Sequence, residues 1–163
     1  MFKTKLLILL LINLSLMGCI GGNNMPNNKF ELNYVAGGVD GLMLRNLLES
    51  FLKNTDMYYK DADLKIDVAV DHQKMLYITN VDNTSDRERI TSIINAQIKS
   101  SNKDCTVLDY KYETSQFYVI ASSENYTSNS IAVEQIKIAN LEILIQRFLS
   151  KIRNKSLSCI DDI

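Results

Sequence analysis

Apolar and polar residues change their period several times along this chain, and each change marks an element. Phe30, Leu32 and Tyr34 alternate with Glu31 and Asn33, the period-two pattern of a half-buried strand, and Gly37-Gly38 closes it. Asp40 is placed to cap the helix that follows, in which Leu44, Leu47, Leu48, Phe51 and Leu52 recur at helical spacing. The other face of that helix, Arg45, Asn46, Glu49, Ser50 and Lys53, is polar. Residues 55–63 read as a loop. Leu64, Ile66, Val68 and Val70 then alternate with Lys65, Asp67, Ala69 and Asp71, a clean strand signal, and a second strand or a continuation past a bulge covers 75–79.

Residues 81–86 read as a turn. After it, Ile90, Ser92, Ile94, Ala96 and Ile98 alternate with Arg89, Thr91, Ile93, Asn95 and Gln97, yet Ile90, Ile93, Ile94 and Ile98 also fit a helix. Periodicity alone leaves both open. A tight polar turn at 101–104 precedes β-prone stretches at 105–112 and 116–120, together a last strand with a bulge. A polar loop, 122–130, leads to the longest periodic segment. There Ile138, Leu141, Ile145, Phe148 and Ile152 form one stripe, widened by Ile136, Ile143, Leu144 and Leu149, so this helix must be covered on most sides. Lys151, Arg153 and Lys155 complement the dipole at its end. The economical arrangement is α+β: two helices packed on one face of a four-stranded mixed, mainly antiparallel sheet. The pattern assigns 30–155 to this single domain and 156–163 to a disordered tail.

The first residues follow a different logic. Lys3 and Lys5 precede an apolar run over 6–12 that is too short to span a bilayer, which takes about 20 residues. The run ends at Leu16-Met17-Gly18-Cys19. This is a signal peptide, 1–18, and Leu-x-Gly-Cys resembles the bacterial lipobox, which implies acylation of Cys19 as the first mature residue. Several acyl chains make such an anchor effectively permanent. Ile20, and not an aspartate, follows the cysteine, which by the same resemblance implies the outer membrane, facing the periplasm. Residues 19–29, rich in Gly and Asn, form a flexible tether.

Charge narrows the function. The chain has 18 basic and 19 acidic residues, and without Lys3 and Lys5 the mature balance is 16 minus 19, or −3. That disfavours a nucleic-acid surface, which needs a basic patch. Cys105 and Cys159 would share an oxidising compartment and could bridge. Since nothing in the sequence brings their Cα atoms together, two separate thiols are expected.

Chemistry is sparse. His72 is the only histidine, and no serine or cysteine stands beside it in a motif that would make it a base, so a solvated strand-end residue is expected. Asp61, Asp63, Asp67 and Asp71 read as a loop and an outward strand face, and 82–86 as a turn, with no metal site. No phosphate loop, zinc spacing or nucleophile elbow occurs, and neither an enzyme nor a cofactor other than the lipid at Cys19 is expected.

Three local patterns, taken with the cysteine and the element order, resemble the LptE family of outer-membrane lipopolysaccharide-assembly lipoproteins. Residues 40–52, DGLMLRNLLESFL, look like the family's first helix; Asp82-Asn83-Thr84-Ser85-Asp86-Arg87 is similar to its turn into the third strand. Residues 122–132 with 139–148 look like its closing segment and helix. The second pattern favours strand after Arg87. The resemblance implies a domain that plugs and assembles with a large LptD-type β-barrel and supports lipopolysaccharide transport to the outer membrane. It also implies contacts to lipid phosphates, for which Lys74, Arg87 and Arg89 are the nearest cations in this sequence. The barrel-facing surface expected is the exposed strand ends with 73–74 and 126–130. The alternative is a free-standing periplasm-facing lipoprotein that binds a small ligand or peptide in an apolar groove beside the last helix.

Overall fold

The computed structural model describes residues 28–78, 85–120, 126–153 and 157–159. The lipobox, the signal peptide, most of the tether and the turn at 81–84 lie outside them.

Strand β1 (Phe30–Ala36) leads into helix α1 (Gly38–Asn54) through Gly37, whose φ of 125° is reached cheaply only by glycine. Space excludes a side chain there as well: a Cβ would lie 2.7 Å from Val70 Cγ1 and 2.9 Å from the Val70 carbonyl oxygen. The Gly37-Gly38 break is therefore where the sequence puts it. The cap is different. Gly37 occupies the N-cap position without a side-chain hydrogen bond, and Asp40 lies inside the first turn of α1. Its carboxylate still meets the positive end of the helix dipole, but its partner is a lysine from the other helix, described below.

Strands β2 (Leu64–Ile78), β3 (Ser85–Ser100) and β4 (Cys105–Val119) form a long antiparallel meander, with β1 added in parallel to the first part of β2, in the order β1-β2-β3-β4. A parallel pair needs a crossover, and α1 is that crossover. Helix α2 (Tyr126–Arg153) closes the chain and packs on the same face. The architecture is the predicted α+β class, two helices on one face of a mixed four-stranded sheet.

Parity decides the sheet. Ile66, Val68 and Val70 on β2 face the helices, and Ile90, Ser92, Ile94, Ala96, Ile98 and Ser100 do so on β3. Helical spacing would have grouped Ile93 with Ile90 and Ile94, but Ile93 lies on the opposite face. β2 is one strand and not two, because the polar run Asp71-His72-Gln73-Lys74 keeps the parity: His72 sits opposite Ser92 and Lys74 opposite Ile90. β4 is also continuous. Its bulge is near its start, where Ile98 pairs with Leu108 and Lys99 with Thr106, so Val107 is the extra residue and both Val107 and Leu108 are buried.

The core is a row from α1 (Leu44, Leu48, Leu52), a row from α2 (Leu141, Leu144, Ile145, Phe148, Ile152) and the inward strand residues, all buried together with Phe30. Each such side chain contributes about 1.5–3 kcal/mol by leaving water. The predicted stripe on α2 holds at Leu141, Ile145, Phe148 and Ile152, flanked by Leu144 and Leu149, but at its start Ile138 is exposed and Asn140 takes a fully buried place. This helix begins at Tyr126, inside the stretch read as loop.

The two cysteines are bridged, Cys105 to Cys159, with Cα atoms 5.7 Å apart. Separate thiols were the sequence expectation, and the fold overturns it by returning the chain past Arg153 to the start of β4. Leu157 packs against the core beside the bridge.

Candidate functional site

Between the far ends of β2, β3 and β4 and the first turns of α2 lies a cleft of about 430 Å³, lined by Lys74, Glu88, Tyr118, Ile120, Asn129, Ser130, Val133, Glu134 and Lys137. Beneath it runs a directed chain of hydrogen bonds. Gln116 Nε2 donates to Asn140 Oδ1 at 3.0 Å, and Asn140 Nδ2 donates to the Ile90 carbonyl at 3.3 Å and to Ser92 Oγ at 3.0 Å. Ser92 Oγ also lies 2.7 Å from His72 Nδ1, a contact in which the hydroxyl donates to a bare ring nitrogen or accepts from a protonated one. The other ring nitrogen, His72 Nε2, is buried without a hydrogen-bond partner among the described residues.

His72 is therefore not the solvated strand-end residue expected from sequence. It stands mid-strand and half-buried, and burial lowers its pKa below the ordinary value. Asp40, Asp71 and Glu134 oppose that effect and Lys137 reinforces it. Ser92 is fully buried and accepts from Asn140.

Lys137 spans the two helices. Its Nζ lies 3.1 and 3.3 Å from the two carboxylate oxygens of Asp40 and 3.3 Å from Glu134. Burial by itself would lower its pKa, but the hydrogen bonds to Asp40 and Glu134 outweigh it and the net shift is upward. On the sheet side, the Tyr118 hydroxyl donates to the Glu88 carboxylate, and burial together with that bond pushes the phenol up to about 12. Lys74 has no ion-pair partner among the described residues, so it is the cation of this cleft best placed to meet an incoming anion.

The sheet separates the three cations expected to act together. Lys74 pairs with Ile90 and shares the helix face, whereas Arg89 pairs with Met75 and Arg87 with Tyr77 on the opposite face. There the Arg89 guanidinium lies 5.3 Å from the Tyr77 ring centroid and its Nη2 donates to Met75 Sδ at 3.4 Å, with Tyr77 in edge contact with Phe117 at 5.3 Å. Only Lys74 lines the cleft. Its companion Lys137 was missed because it sits between Ile136 and Ile138 in an apolar stripe, where helical periodicity gives no sign of a cation turned toward α1. Of the segments expected to face a partner, Lys74, Asn129 and Ser130 line the cleft.

The acidic residues of the β2 region are tied to neighbours. Asp63 accepts from Ser100 Oγ at 2.9 Å and from the Asn102 amide at 2.6 Å, closing the β3–β4 turn, and Asp67 pairs with Lys99 at 3.2 Å. Among the described residues no three His, Cys, Asp or Glu side chains are placed to hold a metal ion, and no helix is long and apolar enough to cross a membrane.

A larger cleft, about 960 Å³, opens beside the last helix, where an apolar groove was expected. It is not apolar. Asp109, Tyr110, Lys111 and Tyr112 of β4 form one wall, and Arg147, Ser150 and Lys151 of α2 the other. The Arg147 guanidinium lies 4.7 Å from the centroid of the Tyr112 ring, which stacks on Tyr110 at 5.9 Å. Burial raises the Tyr110 phenol, Tyr112 adds to the rise and Arg147 opposes it.

No family model and no curated protein matches this chain. Solved structures do. A minor lipoprotein of Acinetobacter baumannii superimposes with a TM-score of 0.61 at 13% identity, over 84% of this chain and 98% of that one. Rare lipoprotein B of Shewanella oneidensis gives 0.56 at 13% identity over 78% and 98%, and lipoprotein B of Nitrosomonas europaea 0.61 at 9% identity over 79% and 84%. At such identities the likeness shows the fold alone. This chain has the fold of these bacterial lipoproteins.

Proposed function

We propose that the chain is an outer-membrane lipoprotein, anchored through a lipid on Cys19 and facing the periplasm. Its domain assembles with and plugs an LptD-type β-barrel, and so supports lipopolysaccharide transport. The fold of bacterial lipoproteins joined to a lipobox supports the anchored part of this reading. The observation that carries the docking part is the arm of the sheet beyond β1. β1 pairs only as far as Ala69, whereas β2, β3 and β4 run on, and this arm exposes Met75, Leu76, Phe117 and Val119. Apolar side chains exposed on both faces of a projecting arm are costly in water and useful inside a partner. Lys74, facing the cleft at the base of that arm, is the residue placed for a lipid phosphate. Arg87 and Arg89, on the other face, would meet the barrel wall.

The test is capture of the full chain through a C-terminal tag from detergent-solubilised envelopes. A large outer-membrane β-barrel in a stoichiometric complex is expected, and it should be lost when Phe117 and Val119 are replaced by Ser. Depletion that leaves lipopolysaccharide export unchanged would overturn the transport role. Cys19→Ser should move the protein from the membrane to the soluble fraction.

The cleft between β4 and α2 favours a second reading, a free-standing lipoprotein that binds a ligand or peptide. A monomeric protein that retains ligand binding, with no barrel captured, would select it.

A further inference from the structure

Beyond its disulfide-bridged start, the outer edge of β4 meets no other strand among the described residues. In the sheet order β4 is terminal, its hydrogen-bonded neighbour is β3 alone, and among the described residues no other strand or bridge meets it. From Leu108 to Val119 its register with β3 is unbroken, and it contains no proline, so alternate amide and carbonyl groups point outward in a regular row. Such a row is a template for another strand.

This edge differs from an ordinary unprotected one in what lies beside it. Four consecutive β4 residues, from both faces of the strand, line the large cleft, so the backbone edge itself is its wall. Across from that edge stand Arg147 and Lys151, exposed on α2, with Arg147 held in place over the Tyr112 ring. A strand laid along β4 would turn every second side chain toward these two cations and the Tyr112 ring. Its other side chains would face Asp109, Lys111 and Glu113, which alternate in sign along the open face of β4.

We propose that β4 is the acceptor for an extended segment of a partner protein with acidic side chains at alternate positions, added to the sheet by backbone hydrogen bonds and selected by Arg147 and Lys151. This is the division of labour in strand addition, where the main chain supplies affinity and pockets for alternate side chains supply specificity. A second copy fits less well: a β4 edge paired with itself about Tyr112 would set Lys111 opposite Glu113 on the open face, but on the helix face it would offer Arg147 and Lys151 only Tyr110, Tyr112 and Thr114, with no acidic side chain. The inference does not depend on the barrel reading, since any partner with such a segment fits.

The test uses the full-length protein in detergent and three synthetic probes: a capped decapeptide of alternating Glu and Val, the same peptide with Lys for Glu, and the Glu-Val peptide N-methylated at every residue, so that neither edge can donate. The Glu-Val peptide should bind and slow hydrogen exchange at alternate amides between Asp109 and Phe117, and the Lys-Val peptide should bind at least about tenfold more weakly. Arg147→Glu with Lys151→Glu, both exposed positions, should reverse that preference. N-methylation should abolish binding. If the N-methylated peptide binds as well as the parent, the cleft is a site for anions and strand addition is wrong. Absence of Glu-Val binding at about 1 mM, or protection outside β4, overturns the proposal. So does a dimer in sedimentation whose β4 amides are protected without any peptide.

Discussion

Lys137 and Asp40 stand 97 residues apart in the chain and 3.1 Å apart in the fold, and they tie the first turn of α1 to the middle of α2. The lysine side chain is 15% exposed and the aspartate 29%, so the pair is partly shielded and not surface decoration. Lys137→Met should cost about 1 kcal/mol in urea denaturation, and the double-mutant cycle with Asp40→Asn should give a coupling of about 0.5–1 kcal/mol, reduced by salt. The raised lysine pKa sets the pH window. Its contribution is fully present below the ordinary 10.5 and is lost as pH rises through the higher folded value. Coupling indistinguishable from zero would mean that the two helices are held by the core alone.

Burial makes His72 an acid-sensitive point. Protonation makes both ring nitrogens donors, one of them buried without a partner among the described residues, and places charge in a half-buried site. The folded pKa lies below the ordinary 6.5, so the unfolded chain binds the proton first, and stability present above pH 6.5 declines as pH falls from there to the folded value. His72→Gln cannot take up that proton. Thermal melting between pH 7.5 and 5 should show a decline in the native protein that is flattened in the variant; parallel declines would show that carboxylates and not His72 are responsible.

Asn140 is fully buried and uses both ends of its amide, accepting from Gln116 and donating to Ser92 and the Ile90 carbonyl. Asn140→Leu would continue the apolar stripe of α2, yet it leaves two buried groups of β3 without their donor. The expected loss is about 2–4 kcal/mol, whereas Gln116→Ala, at the half-buried edge of the chain of bonds, should lose about 1 kcal/mol or less. Chemical denaturation of both variants measures the difference.

The Cys105–Cys159 bridge closes a span of 54 residues that contains β4 and all of α2. Constraining a loop of that length in the unfolded chain is worth about 4 kcal/mol at most. Cys159→Ser should therefore lower stability by about 2–4 kcal/mol, and a reducing agent should destabilise the native protein by the same amount while leaving the variant unchanged. A native protein indifferent to reductant would show that the bridge is not closed in solution.

Strand and helix identity could be read from the chain because periodicity is a local property: a residue's neighbours at two or at three and four positions decide which face it shares. That is why the inward residues of β2 and α1 were legible, with Phe30 and Leu32 of β1 and the Gly37-Gly38 break, whereas the irregularity between Leu32 and Tyr34 turns Tyr34, expected on the same face, out to solvent. It is also why periodicity alone left Ile90–Ile98 between strand and helix, the turn resemblance favouring the strand that a partner on each side then sets in parity. Three things were decided only by the tertiary structure. Distance joined Cys105 to Cys159 and Lys137 to Asp40, since sequence separation carries no information about which turns bring two side chains together. The pleat split Lys74 from Arg87 and Arg89, because a one-residue offset between paired strands puts a side chain on the other face. Polar satisfaction placed Asn140 in the core and held His72 half-buried, because what a buried polar atom costs depends on donors and acceptors that arrive from other elements.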